Sequence, residues 1–187
     1  MSEAMNALRA RCEGCMRCEL GKTRTKLVFG VGQVPSPIVF VGEGPGAQED
    51  LQGEPFVGAA GKLLDEMLHI IDIDRTNCYI ANIVKCRPPQ NRDPLETEQD
   101  ACIGYLFEQL RILQPKLIVC LGRIAAMRLI RPDFRITREH GQWFERDGVF
   151  YMAMYHPAAL LRDAAKRPEA FADLMSLRDK ARFLRCY

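Results

Sequence analysis

The side chains able to do chemistry in this chain of 187 residues form two groups, and the first is a set of cysteines. Cys15-x-x-Cys18 brings two thiolates together on one local turn, and Cys86 and Cys102, with fifteen residues between them, supply a second pair from a loop and the helix that follows. Four thiolates suit zinc or an iron-sulfur cluster, and spacing alone does not separate the two. Cys12 opens a rival register in which Cys12 and Cys15 form the first pair, and free thiols are the alternative to ligation. Cys78 and Cys120 lie inside the apolar runs CYIANIV and LIVCL, where a thiol serves as a small buried hydrophobe. With no basic-then-apolar signal at the N-terminus, a reducing compartment is expected, which favours metal ligation over disulfides.

The second group surrounds a glycine-rich stretch. Ile38-Val39-Phe40-Val41 runs straight into Gly42-Glu43-Gly44-Pro45-Gly46, so a buried strand ends in a loop whose backbone can approach a ligand. His156, in MYHPAALLR, leaves a later strand just before a proline. It shares a sheet edge with the glycine loop if the two strands are parallel, and otherwise only caps local backbone. Asn82 stands in the apolar run YIANIV. A buried amide left unpaired costs about 1–3 kcal/mol, so it needs either neighbouring backbone or the polar edge of a base. Phe56, between Pro55 and Val57, is a core anchor or a stacking platform for an aromatic ligand. Lys85, Arg87, Arg92, Arg138 and Arg162 fall on loops near strand ends, where they read singly as solvated charge and together as a phosphate-contacting rim.

A sheet has to bring these groups together. Strand-like runs at Ile38–Val41, Cys78–Val84, Leu117–Leu121 and Val149–Met154 alternate with helical spacing over Gly61–Ile71, Glu96–Leu113 and a short piece from Gly122 to Met127. Pro168–Leu184 closes the chain as a helix, and Arg146-Asp147-Gly148 signals a hairpin between Trp143–Glu145 and the last strand. Thr23–Phe29 reads as extended and Arg131–Arg138 as irregular. The β-α-β-α-β-α-β order argues an α/β fold, a mostly parallel sheet covered on both faces, with ligands at the strands' C-terminal ends. A composition 48% hydrophobic and 27% charged fits one globular domain over residues 1–187, with the cysteine segment at its N-terminal end. The apolar runs are too short to span a bilayer. A net charge of +2 offers no global positive field, so nucleic-acid contact must come from locally grouped basic residues.

Together these pieces resemble the family 4 uracil-DNA glycosylases, the iron-sulfur branch of the uracil-DNA glycosylase superfamily. The matching text is Cys15-x-x-Cys18-x-Leu20 with Arg24-Thr25, VGEGPG with Glu49-Asp50, GEPFVGAAGKLL, NIVKCRPPQNR, Cys102, and YHPAALLR. It covers nearly the whole chain, and ordered motifs at matching intervals are far more specific than GEGPG alone. The resemblance implies a three-layer α/β/α sandwich around a four-stranded, mainly parallel sheet. It implies a 4Fe-4S cluster of chiefly architectural role on Cys15, Cys18, Cys86 and Cys102, leaving Cys12 outside. The implied activity is excision of uracil from single- or double-stranded DNA by a monomer in a bacterial or archaeal cytoplasm, leaving an abasic site for base excision repair.

Site roles follow from the same resemblance. Phe56 would stack on a flipped base, Asn82 would read its polar edge, and His156 would hydrogen-bond O2, where negative charge gathers as uracil leaves. The main chain at Gly44 and Gly46 would lie against sugar and base. In the better-known branch an aspartate and an aromatic residue hold those two places, so Glu43 becomes the residue expected to orient water or stabilise the sugar cation. Glu49, held by Asn91, would exclude the thymine methyl. Leu160, Leu161 and Arg162 would enter the minor groove, with Lys85, Arg87, Arg92 and Arg138 on phosphates. Three rivals compete. A covalent uracil-trapping relative would carry a histidine insertion that CRPPQNRDP lacks; a dinucleotide binder would need G-x-G-x-x-G spacing; a non-catalytic, metal-stabilised nucleic-acid-binding module would share the motifs without the chemistry.

Overall fold

The computed structural model describes residues 2–187. Helices α1 (Glu3–Glu13) and α2 (Leu20–Thr23) lead into strands β1 (Val31–Gly32) and β2 (Ile38–Gly42), followed by helices α3 (Ala47–Gln52) and α4 (Ala59–Ile70). Strand β3 (Tyr79–Asn82), helix α5 (Glu96–Leu113), strand β4 (Leu117–Leu121) and helices α6 (Arg123–Leu129) and α7 (Ile136–Glu139) come next. The hairpin β5 (Trp143–Arg146) and β6 (Val149–Met154) and the helices α8 (Pro157–Arg162) and α9 (Arg167–Phe183) complete the chain.

The sheet runs β1-β3-β2-β4-β6-β5. Its inner strands β3, β2, β4 and β6 are parallel, as the alternating β and α runs require, while β1 and β5 join the edges antiparallel. The expected four-stranded sheet is thus the centre of a six-stranded one. The hairpin turn accounts for β5. The other edge carried no signal, because β1 is two residues long and flanked by Gly30 at φ +132°, a conformation outside β-propensity. Two neighbouring expectations are also corrected: α2 occupies the start of the supposed extended stretch, and α7 orders the end of the supposed irregular one.

Alternation along the parallel strands divides the core. Val39, Val41, Ala81, Ile118 and Cys120 cluster with Met5 and Leu8 of α1, Leu106 of α5 and Leu129 of α6. Phe40, Ile80, Val119 and Met154 turn the other way, joining Leu64 and Met67 of α4, Leu160 of α8 and Leu174 and Leu177 of α9. This is a three-layer arrangement, with one helical layer on each face. In α4, Leu64, Met67 and Leu68 recur at helical spacing on the buried side. At the start of α5, the Glu98 carboxylate reaches back to the Leu95 amide at 2.7 Å and satisfies an otherwise unpaired donor. No helix among the described residues is long and apolar enough to cross a membrane.

Helix α8 stands where a loop was expected. Pro157 at its first position has the right φ and no amide to satisfy, and the His156 side chain caps the helix. The helix turns Leu160 inward to 2% exposure, so this residue belongs to the core and cannot enter a DNA groove. Leu160→Ala should lower the unfolding free energy by about 2–5 kcal/mol in urea denaturation, as for other buried leucines. A loss under about 0.5 kcal/mol, the range of ordinary surface substitutions, would return the residue to the surface.

Candidate active site

All four parallel strands end at one rim. There a cleft of about 630 Å³ is lined by Glu43, Gly44 and Gly46 after β2, Asn82 at the end of β3, Gly122 after β4 and His156 after β6. Strand register sets the first contact, because Gly42 of β2 pairs with Asn82 of β3. A Cβ on Gly42 would lie 2.5 Å from Asn82 Oδ1 and 2.6 Å from Phe56 Cζ, so glycine is what lets the amide and the ring share this corner. Asn82 is 2% exposed, and its Oδ1 is the one buried side-chain polar atom without a hydrogen-bond partner among the described residues.

Phe56 sits at φ 54°, a strained conformation for an aromatic residue, with its ring stacked on His156 at a centroid separation of 5.5 Å. Its loop is pinned from both sides. Arg75 donates to the carbonyls of Pro55, at 2.9 Å, and Phe56, and is itself held by Asp65. Glu49 Oε1 accepts from the amides of Val57 and Gly58 at 2.9 Å each, and Oε2 accepts from Gly46 at 3.1 Å. One carboxylate therefore ties the glycine loop to the Phe56 loop, near the starts of α3 and α4 where backbone donors are unpaired. The expected Glu49–Asn91 contact is replaced: Asn91 lines the cleft, but its Oδ1 accepts from Arg87 Nε at 2.7 Å.

Two titratable groups are pushed in opposite directions. Burial, with Asp93 adding to it and Arg123 opposing, raises Glu43 to about 7. Burial, with Arg162 adding to it and Glu49 opposing, lowers His156 to about 4. His156 is therefore neutral near pH 7, and its Nδ1 accepts from the Ala158 amide at 3.1 Å. That bond places the ring proton on Nε2, leaving Nε2–H as a donor.

The basic residues separate. Arg92 and Arg162 line the cleft, although Arg92 also makes a two-pronged pair with Glu98 at 2.7 and 2.8 Å. Arg123, which sequence reasoning missed, lines it too and pairs with Asp93. Arg87 and Arg138 stand outside the lining, Arg138 exposed on α7. Leu161 is 45% exposed on the outer side of α8. Lys85 is fully buried, with Nζ donating to Asn82 O and Gln109 Oε1, so it is not a phosphate contact. Its place in NIVKCR imitated surface charge; the apolar run through Val84 into a buried Cys86 was the signal that it lies inside.

A second cavity lies behind β3, lined by Cys15, Cys18, Cys86 and Cys102 together with Cys12, and edged by Arg17, Arg24 and Lys85. All eight cysteines are free. Arg24 Nη1 approaches Cys86 Sγ at 3.2 Å, and the Lys85 amide approaches Cys102 Sγ at 3.3 Å. Among the described residues no three His, Cys, Asp or Glu side chains gather as the ligands of a single ion would. Cys78 and Cys120 are buried away from this cavity, and burial pushes the Cys78 thiol up to about 12.

Comparison with known proteins agrees with this geometry. The model of the uracil DNA glycosylase superfamily matches residues 29–176, which include every strand and the whole cleft. The chain is 45% identical over 183 residues to the type-4 uracil-DNA glycosylase of Archaeoglobus fulgidus, covering 94% of this chain and 92% of that one. Type-4 uracil-DNA glycosylases of Thermotoga maritima and Sulfurisphaera tokodaii are 42% identical over 86% of the chain and 39% identical over 96%, with 85% and 86% of their own lengths covered. The chain belongs to the type-4 uracil-DNA glycosylases of that superfamily.

The Glu49 tie makes a prediction independent of chemistry. Glu49→Ala frees three backbone amides and should lower the unfolding free energy by about 1–3 kcal/mol. It should also open the Phe56 loop to limited proteolysis; an unchanged cleavage pattern would show that the loop holds itself.

Proposed function

We propose that this protein removes uracil from DNA by hydrolysing the N-glycosidic bond, and that the cleft at the ends of β2, β3, β4 and β6 is where the flipped nucleotide binds. The observation that carries the assignment of the site is Asn82 Oδ1, buried and without a partner. Uracil presents the complement, N3–H for that oxygen and O4 for the Asn82 amide N–H. Cytosine offers an unprotonated N3 and an amino group, reversing both contacts.

Phe56 gives the flipped ring a stacking face, and its position beside His156 sets the base between reader and donor. When the bond breaks its electron pair leaves with uracil, and charge collects at O2, where the fixed His156 Nε2–H donates. Because the imidazole is neutral, it stabilises this anion without giving up a proton. Water adds to the sugar cation. Glu43, in its charged form, stabilises that cation and takes the proton released by the water. Arg92, Arg123 and Arg162 border the cleft as contacts for the phosphates flanking the flipped nucleotide, and exposed Leu161 is the remaining apolar side chain placed to fill the gap in the stack.

The cysteine cavity fits a 4Fe-4S cluster on Cys15, Cys18, Cys86 and Cys102. These four cysteines line one cavity and would supply the four thiolates that such a cluster takes. Arg17, Arg24 and Lys85 supply cations to an anionic group. Held by these residues, a cluster would tie the N-terminal segment to the loop after β3 and to α5, an architectural role.

Uracil-containing oligonucleotides, scored for abasic sites by alkaline strand scission, test the reading. His156→Ala and Asn82→Ala should each lower single-turnover excision by about 10²–10³ while the fold survives, the size expected for losing one preorganised donor or reader. Near-normal rates in both would falsify the site. Since Glu43 is held at about 7, its charged fraction grows as pH rises, so excision should climb from pH 6 to 8 and level off. His156, at about 4, stays neutral throughout and contributes no limb in this window. Glu43→Gln should lower the rate and flatten the climb; a climb that persists in the variant would exclude Glu43 as its source.

A further inference from the structure

Lys85 is the least expected residue in the molecule. It is fully buried, and its ammonium donates to the backbone carbonyl of Asn82 at 3.0 Å and to Gln109 Oε1 at 2.6 Å. Gln109 Nε2 in turn donates to the hydroxyl of Tyr79 at 3.1 Å and the carbonyl of Phe29 at 2.9 Å. Tyr79 and Asn82 are the first and last residues of β3, so the Lys85–Gln109 pair grips the base-reading strand at both ends. Lys85 also lines the cavity that holds Cys12, Cys86 and Cys102, and its ammonium's hydrogen-bond partners, Asn82 O and Gln109 Oε1, carry no charge. A cation out of water is strongly unfavourable without an opposite charge, and among the described residues the cysteine cavity is the neighbour that can supply one. Its own backbone amide touches Cys102 Sγ, and Gln109 shares α5 with Cys102.

We infer that Lys85 is a positioning residue that couples the cysteine cavity to uracil recognition: its ammonium balances the anionic cluster and, through the same atoms, fixes the Asn82 main chain so that the amide faces the base. The inference rests on the cluster reading above. Lys85 touches neither DNA nor uracil. It acts on the base through Asn82, and on the cluster through charge.

The test uses iron-loaded protein carrying Lys85→Met or Lys85→Arg, with iron and acid-labile sulfide measured beside the parent. Two readouts are then compared: the reduction midpoint potential of the cluster, and the inhibition constant of free uracil. Removing a buried positive charge beside the cluster in Lys85→Met should make the potential more negative. The same variant should bind uracil roughly tenfold to a hundredfold more weakly, the scale of one hydrogen bond to a charged group, with affinity for uracil-free DNA unchanged. Lys85→Arg keeps the charge and should retain the potential, but its planar fork cannot serve both acceptors in the space of an ammonium, so uracil affinity should still fall.

In Lys85→Met, a change in potential without a change in uracil affinity, the reverse, or neither would overturn the coupling. Should Lys85→Met fail to fold or load, Lys85→Arg decides alone, and parental uracil affinity in it overturns the proposal. Parent protein that is colourless and contains zinc overturns the cluster reading itself, and the coupling with it; iron-loaded protein that fails only the paired readouts overturns the coupling alone.

Discussion

The oxygen of Asn82 is kept at the end of a parallel strand, out of water and with nothing to accept from. An unsatisfied buried acceptor of this kind costs about 1–3 kcal/mol, and the surrounding structure is arranged so that the amide cannot relieve it. Gly42 leaves no Cβ to displace it, Phe56 closes one side, and the strand that carries it is clamped from behind by Lys85 and Gln109. In the proposed function, that unmet acceptor is the source of selectivity. A base that supplies the missing donor recovers energy that another base cannot.

The same rim sets two ionisable groups on opposite courses. Glu43 and His156 both lose water, but desolvation always favours the neutral form, so it raises the acid to about 7 and lowers the base to about 4. Near pH 7 the histidine is a fixed neutral dipole, and the glutamate is near its midpoint. One device, burial, thus yields a neutral imidazole and a carboxyl near its midpoint on the same rim.

Residues that obey a period were legible from the chain. Ile38–Val41, Leu117–Leu121 and the face formed by Leu64, Met67 and Leu68 announced strands and a helix, and parallel connection then placed Gly42, Asn82 and His156 at one edge. What could not be read depended on long-range pairing. Glu49 was expected to meet Asn91 because its distant backbone partners at Val57 and Gly58 leave no trace in local sequence. Arg75 drew no notice for the same reason, and Leu160 seemed part of an exposed loop until the helix capped by His156 turned it inward. Charged side chains buried by tertiary contacts, as Lys85 is, oppose every compositional rule and become visible only when their acceptors are located.

The Phe56 backbone is held in a strained left-handed conformation by Arg75 on the carbonyls of Pro55 and Phe56 and by Glu49 on the amides of Val57 and Gly58. A platform stapled in this way has already surrendered its conformational entropy before any nucleotide arrives, so capture of an extrahelical base need not wait for a loop to order or close. At the proposed site the slow coordinate is then the opening of the DNA. In the proposed function, a rigid receptor of this sort acts as a trap for bases that leave the stack of their own accord.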